Sequence, residues 1–116
     1  MFLAQYGDSD HIDKALTDEN SVVRMTAIKH PNVNADNITK VFSGGDVLVK
    51  KHAILHHNAT TEHIDKAMSD GDSGVRLSAL HNPNINQTHI NIGLKDKDFD
   101  VVLIARKINQ RSNTIK

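Results

Sequence analysis

The residues best suited to chemistry are the imidazoles and a set of regularly placed cations. The chain has eight His among 116 residues. His52 and His56 stand four apart, so they share one helical face, and His57 follows directly. A zinc site needs about four ligands, and no third ligand lies at a local spacing. His56 and His57 are therefore read as helix-end residues that favour the negative end of a helix dipole. His11, His63 and His89 share one register of a 26-residue period. Stacked helices lie ~8–10 Å apart, too far for simple joint ligation. With no Cys, thiolate metal sites, iron–sulfur ligation and disulfides are excluded as well. The expectation is no metal and no cofactor.

Arg24, Lys50 and Arg76 recur at the same period. One reading is a basic stripe for nucleic-acid phosphates. The other is a pairing ladder with Asp18, Asp70 and Asp96, which also share a register. Each cation sits next to a Val of the apolar pattern, which argues for partial burial, and a lone buried cation is costly. The ladder is therefore preferred. Gly44 breaks the Asp column and Val102 breaks the cation column. Pairing must therefore run partly between repeats, or not at all.

Enzymatic readings lack their parts. Gly44-Gly45 is an isolated pair inside a helix-to-helix turn, with no phosphate-cradling loop. Ser and His fall at repeat registers without triad logic, and most carboxylates occupy helix caps. The chain is read as a non-enzyme.

The elements that hold these residues follow from the repeat itself. Ile12, Ile38, Ile64 and Ile90 fall 26 residues apart, as do Val23, Val49, Val75 and Val101, and Ala27, Ala53, Ala79 and Ala105. Leu16, Phe42, Met68 and Leu94 form a fourth, always large and apolar, column. Asp8, Asn34, Thr60 and Asn86 share a register suited to capping a helix, and Asn20, Asp46, Asp72 and Asp98 share a second. Each unit thus reads as cap, short helix A, turn, cap, helix B, stop. Pro31 and Pro83 supply the stop in two copies. The Ala column allows close helix approach. The boundaries are a half-repeat over 1–8, repeats over 9–34, 35–60, 61–86 and 87–112, and a tail over 113–116, all in a single repeat domain. Arg106 and Arg111 replace apolar registers in the last copy, as expected of a polar end. Residues after Asn109 are expected to fray.

Three registers of helix B vary between copies: 22/48/74/100, 25/51/77/103 and 29/55/81/107. Their i, i+3, i+7 spacing places them on one stripe. Val22, Met25, Lys29, Leu48, Lys51, Leu55, Leu77 and His81 are the candidate partner-binding residues. An apolar strip with scattered Lys and His suits a protein partner or a self-contact.

The string from Asp18 to Asn32, with its Val-Arg-x-x-Ala core and Pro31, and the equivalent stretch from Asp70 to Asn84, resemble the leucine-rich-repeat variant within the HEAT-like α-solenoid group. Such strings also resemble repeats of phage proteins. The resemblance implies an all-α, right-handed solenoid of about four helix pairs plus the N-terminal half-repeat. It also implies that one helix of each pair, here helix A, is partly 3₁₀. It is compatible with a phage accessory or inhibitor protein.

Charge sharpens the choice of partner. Lys plus Arg equals Asp plus Glu, 14 each, so there is no global pull toward nucleic acid or an anionic membrane. Residues 95–116 carry a net +3 and residues 1–94 a net −3. No apolar stretch approaches a membrane span, the N-terminus lacks a signal-peptide pattern, and the expected location is cytoplasmic. The expectation is a protein-interaction module, with nucleic-acid backbone binding through Arg24, Lys50 and Arg76, or a structural homo-oligomer, as alternatives.

Overall fold

The computed structural model describes the backbone of residues 9–115 and the side chains of residues 10–111. The half-repeat over 1–8 and the Asp8 cap lie outside the described residues. The described chain is all-helical: α1 (Ser9–Leu16), α2 (Ser21–Ile28), α3 (Ala35–Ser43), α4 (Val47–Ile54), α5 (Thr61–Met68), α6 (Ser73–Leu80), α7 (Gln87–Leu94) and α8 (Phe99–Ile115), with no strand among the described residues. The odd-numbered helices start at 9, 35, 61 and 87 and the even-numbered ones at 21, 47, 73 and 99, each series in steps of 26.

The helices begin where the caps stand. Asn20, Asp46 and Asp72 are the N-caps of α2, α4 and α6, each accepting a backbone N–H of the first turn. Asp98 accepts the Asp100 N–H at 2.9 Å at the start of α8. Asn34, Thr60 and Asn86 cap α3, α5 and α7 with full capping boxes. These firm starts carry i→i−4 bonds from the first turn, such as Ile64 N–H to Thr60 C=O at 3.1 Å. The helices expected to be partly 3₁₀ are therefore α-helical, tightened only at their ends by i→i−3 bonds such as Ser69 N–H to Lys66 C=O.

The chain divides into two compact units, 1–59 and 60–116. In the first, α1 packs on α2 and α3, and α4 packs on α2 and α3. In the second, α5 packs on α6 and α7, and α8 packs on α6 and α7. Each unit thus places odd-numbered helices side by side and even-numbered helices side by side. The four Ile of the period are buried, and Ala27, Ala53, Ala79 and Ala105 are wholly so. Of the Val column, Val49, Val75 and Val101 are buried and Val23 is half-buried.

One close approach lies in the second unit. A Cβ built on Gly93 of α7 would stand 2.9 Å from the Ala105 Cβ of α8 and 3.2 Å from Leu80 Cδ1. Gly93 occupies the register of Ala15, Val41 and Ala67, and only the missing side chain lets α7 and α8 come this near.

α8 departs from the pattern. It has 17 residues, against eight in α2, α4 and α6. The helix continues to Ile115, past Asn109, after which the sequence leads one to expect fraying. Two substitutions explain it. Asn109 stands in the register of Pro31 and Pro83. Ile108 stands in the register of His30, His56 and Asn82, whose side chains each accept the N–H two residues on and so turn the chain out of the helix. Ile108 offers no acceptor, and the helix runs on.

Candidate functional site

The exposed face of α2 and α4 gathers most of the variable stripe. Val22 is 69% exposed, Leu48 57% and Leu55 49%. Lys29 is exposed, and Met25 and Lys51 are half-buried. An open groove of about 820 Å³ is lined by Val22, Met25 and Lys29 of α2 and by Asp46, Val47 and Leu48 at the start of α4. In the second unit Leu77 is half-buried, and His81 is exposed and donates from Nδ1 to the Leu77 carbonyl at 3.0 Å. Leu103 of α8, in the register of Met25, is an exposed apolar residue as well.

The cation column is committed elsewhere. Arg76 donates from Nε to Asp96 Oδ2 at 2.8 Å, from Nη2 to Asp96 Oδ1 at 3.1 Å, and from Nη1 to the Asp70 carbonyl at 2.8 Å. Both side chains of this bidentate pair are nearly buried, 7% and 6% exposed. Burial acts against the Asp96 carboxylate, but the Arg76 guanidinium and the Asp98 N–H outweigh it and hold the carboxyl below its usual range. The Asp96 hydrogen bond correspondingly raises Arg76. Arg24 repeats the geometry with a different partner. It donates to the Asp18 carbonyl and, from Nε at 2.7 Å, to the Asp46 carboxylate. Gly44 holds the register that Asp96 fills in the later copy, so the N-cap Asp46, two residues on, takes its place. Burial likewise works against the Asp46 carboxylate and is outweighed by Arg24 and the Val49 N–H. Both pairs join one repeat to the next. Lys50 is half-buried and has an interaction of its own.

The histidines are structural acceptors. Thr60 N–H donates to His63 Nδ1 at 3.0 Å and Asn86 N–H to His89 Nδ1 at 3.1 Å, closing the two capping boxes. With Nδ1 accepting, the His89 proton sits on Nε2, which donates to Asp65 Oδ1 at 2.6 Å. His56 accepts the Asn58 N–H on Nδ1 and donates from Nε2 to the His30 carbonyl at 2.9 Å. Its neighbour His57 stacks on it, ring centroids 4.4 Å apart. Both nitrogens of His56 are thus occupied. Among the described residues, no group of three or more His, Asp or Glu is placed to hold a metal ion.

Two features were missed in the sequence. The capping-box role of His63 and His89 was legible from their place three residues after a cap, where a Glu or Gln acceptor is usual. The second is a groove of about 330 Å³ between the end of α6 and the latter half of α8, with Ile85, Ile104 and Ile108 in its floor. Lys107, Ile108 and Arg111 line it because α8 runs past Arg106, the equivalent of the last residue of α2, α4 and α6, which no periodic pattern announces.

Comparison with protein-family models, curated proteins and solved structures finds no match to this chain. The functional reading rests on the geometry above. Among the described residues no helix is long and apolar enough to cross a membrane.

Proposed function

We propose that the chain is a non-catalytic protein-interaction module, a right-handed α-solenoid of the HEAT-like kind, that holds a partner protein against the outer face of its even-numbered helices. The observation that carries this reading is the concentration of exposed apolar side chains, Val22, Leu48 and Leu55, on α2 and α4 beside an open groove. Large apolar residues clustered on one exposed face mark an interaction site more often than a solvated surface. The 26-residue step of the helix starts and the side-by-side packing of equivalent helices within each unit support the solenoid. A cytoplasmic, phage-encoded accessory or inhibitor protein fits the same reading.

The nucleic-acid alternative finds less support. Arg24 and Arg76, two of its three cations, are bound to carboxylates of this chain. Freeing Arg76 for a phosphate would leave Asp96 buried and unpaired.

The test replaces Leu48 and Leu55 together with Asp and compares affinity capture from the host, with a photo-crosslinker at position 25. The double variant should keep its helical circular dichroism and lose the crosslinked partner. Retention of the same crosslinked protein would remove this face as the interface. Crosslinks only to a second copy of the chain would instead identify a homo-oligomer.

A further inference from the structure

The groove in the second unit shares no residue with the α2–α4 groove, and its chemistry is more specific. Its floor is apolar, with Ile85, Ile104 and Ile108 only half-buried. Its rim carries His81, Lys107 and Arg111, all exposed, and among the described residues no carboxylate lines it. Among the described residues Lys107 and Arg111 have no carboxylate partner. This differs from the α2–α4 groove, where Asp46 neutralises Arg24 within the lining. The surrounding stretch over 95–116 is net +3, so the local field favours an anion.

We propose that this α6–α8 groove docks an acidic segment of a partner protein that inserts one large apolar side chain. The volume, about 330 Å³, suits one or two side chains rather than a whole helix. An inserted Leu, Phe or Trp covers the isoleucines. Asp or Glu residues on either side of it meet Lys107 and Arg111, whose long side chains reach the rim from one helical face, four residues apart. A small inorganic anion would leave the isoleucines wet, and a neutral apolar chain would leave the cations idle. Only a segment with both chemistries matches floor and rim together. Lys107, Ile108 and Arg111 lie beyond Arg106, the equivalent of the last residue of α2, α4 and α6, so the same extension that breaks the repeat pattern supplies much of the site.

The experiment titrates the full-length, ¹⁵N-labelled chain with a panel of octapeptides. Each carries Leu, Phe or Trp flanked by Asp and Glu, and each has a counterpart with Lys in place of every acidic residue. The acidic peptides should shift the amides of residues 81–85 and 104–111. Binding should weaken as salt rises, and by about tenfold or more in Lys107→Glu/Arg111→Glu. Both replaced residues are exposed, and circular dichroism confirms that the variant stays folded. Three results would overturn the proposal: no shift at these amides with any acidic peptide, equal shifts from the Lys counterparts, or shifts from a fatty acid alone. Shifts confined to α2 and α4 would also overturn it, while leaving the partner face of the first unit standing.

Discussion

His89 donates from Nε2 to Asp65 on the preceding odd-numbered helix while its Nδ1 holds the N-cap of its own helix. Asn37 performs both tasks in the first unit. Its Oδ1 accepts the Asn34 N–H, and its Nδ2 donates to Asp13 Oδ1 at 2.6 Å. An amide and an imidazole are thus interchangeable in this register. His89→Asn should leave stability within about 0.5 kcal/mol of the parent, as for a substitution that preserves its hydrogen bonds. His89→Leu should lose about 1–2 kcal/mol, because the Asn86 N–H loses its acceptor. Urea denaturation of the two variants distinguishes these outcomes.

Arg76 and Asp96 are both nearly buried, and removing Arg76 strands Asp96. Arg76→Ala should destabilise the fold by about 3 kcal/mol. The double variant Arg76→Met/Asp96→Leu should lose much less, since no charge is then left buried. A double-mutant cycle by chemical denaturation measures the coupling. An additive cycle would show that the pair is not coupled.

The two paired carboxylates set the acid limit. Asp96 and Asp46 are both held below the ordinary Asp value near 3.8 in the folded chain. Their stabilisation is complete above the unfolded-state value and declines as pH falls through about 4 toward the lower folded values. Unfolding free energy measured from pH 7 down to pH 3 should therefore drop at the acid end. Asp96→Asn should be less stable at pH 7 and show a shallower acid slope.

Gly93 has no room to grow. Gly93→Val, which copies Val41 of the same register, should cost about 1–3 kcal/mol by driving α7 and α8 apart. Thermal melting checks this. A rise in melting temperature would mean that the two helices separate freely.

Much of the fold was legible because the 26-residue period leaves every cap and apolar column in view at once. The Asn20, Asp46 and Asp72 caps and the buried Ile and Ala columns all stand where the period puts them. What stayed hidden depends on geometry between repeats. The sequence left two options for the cation ladder, pairing between repeats or none, and could not show that Arg24 would choose the N-cap Asp46 over an Asp of the expected column. The length of α8 was obscured because Arg106 and Arg111 in apolar registers suggest an end, whereas what ends the other even-numbered helices is an acceptor at the register Ile108 fills. The candidate face was legible in part. Val22, Leu48 and Leu55 are exposed as the stripe requires, while Met25, Lys51 and Leu77 of the middle register lie half-buried.

Among the described residues, seven of the eight helices span about two turns, too short to outlast their neighbours in water. None has a hydrogen-bonded life of its own, so opening one exposes the next. Amide protons within a unit should exchange with deuterium as a block, at a rate set by the unit rather than by the helix that carries them. The second half of α8 is the place where that collective protection should give out.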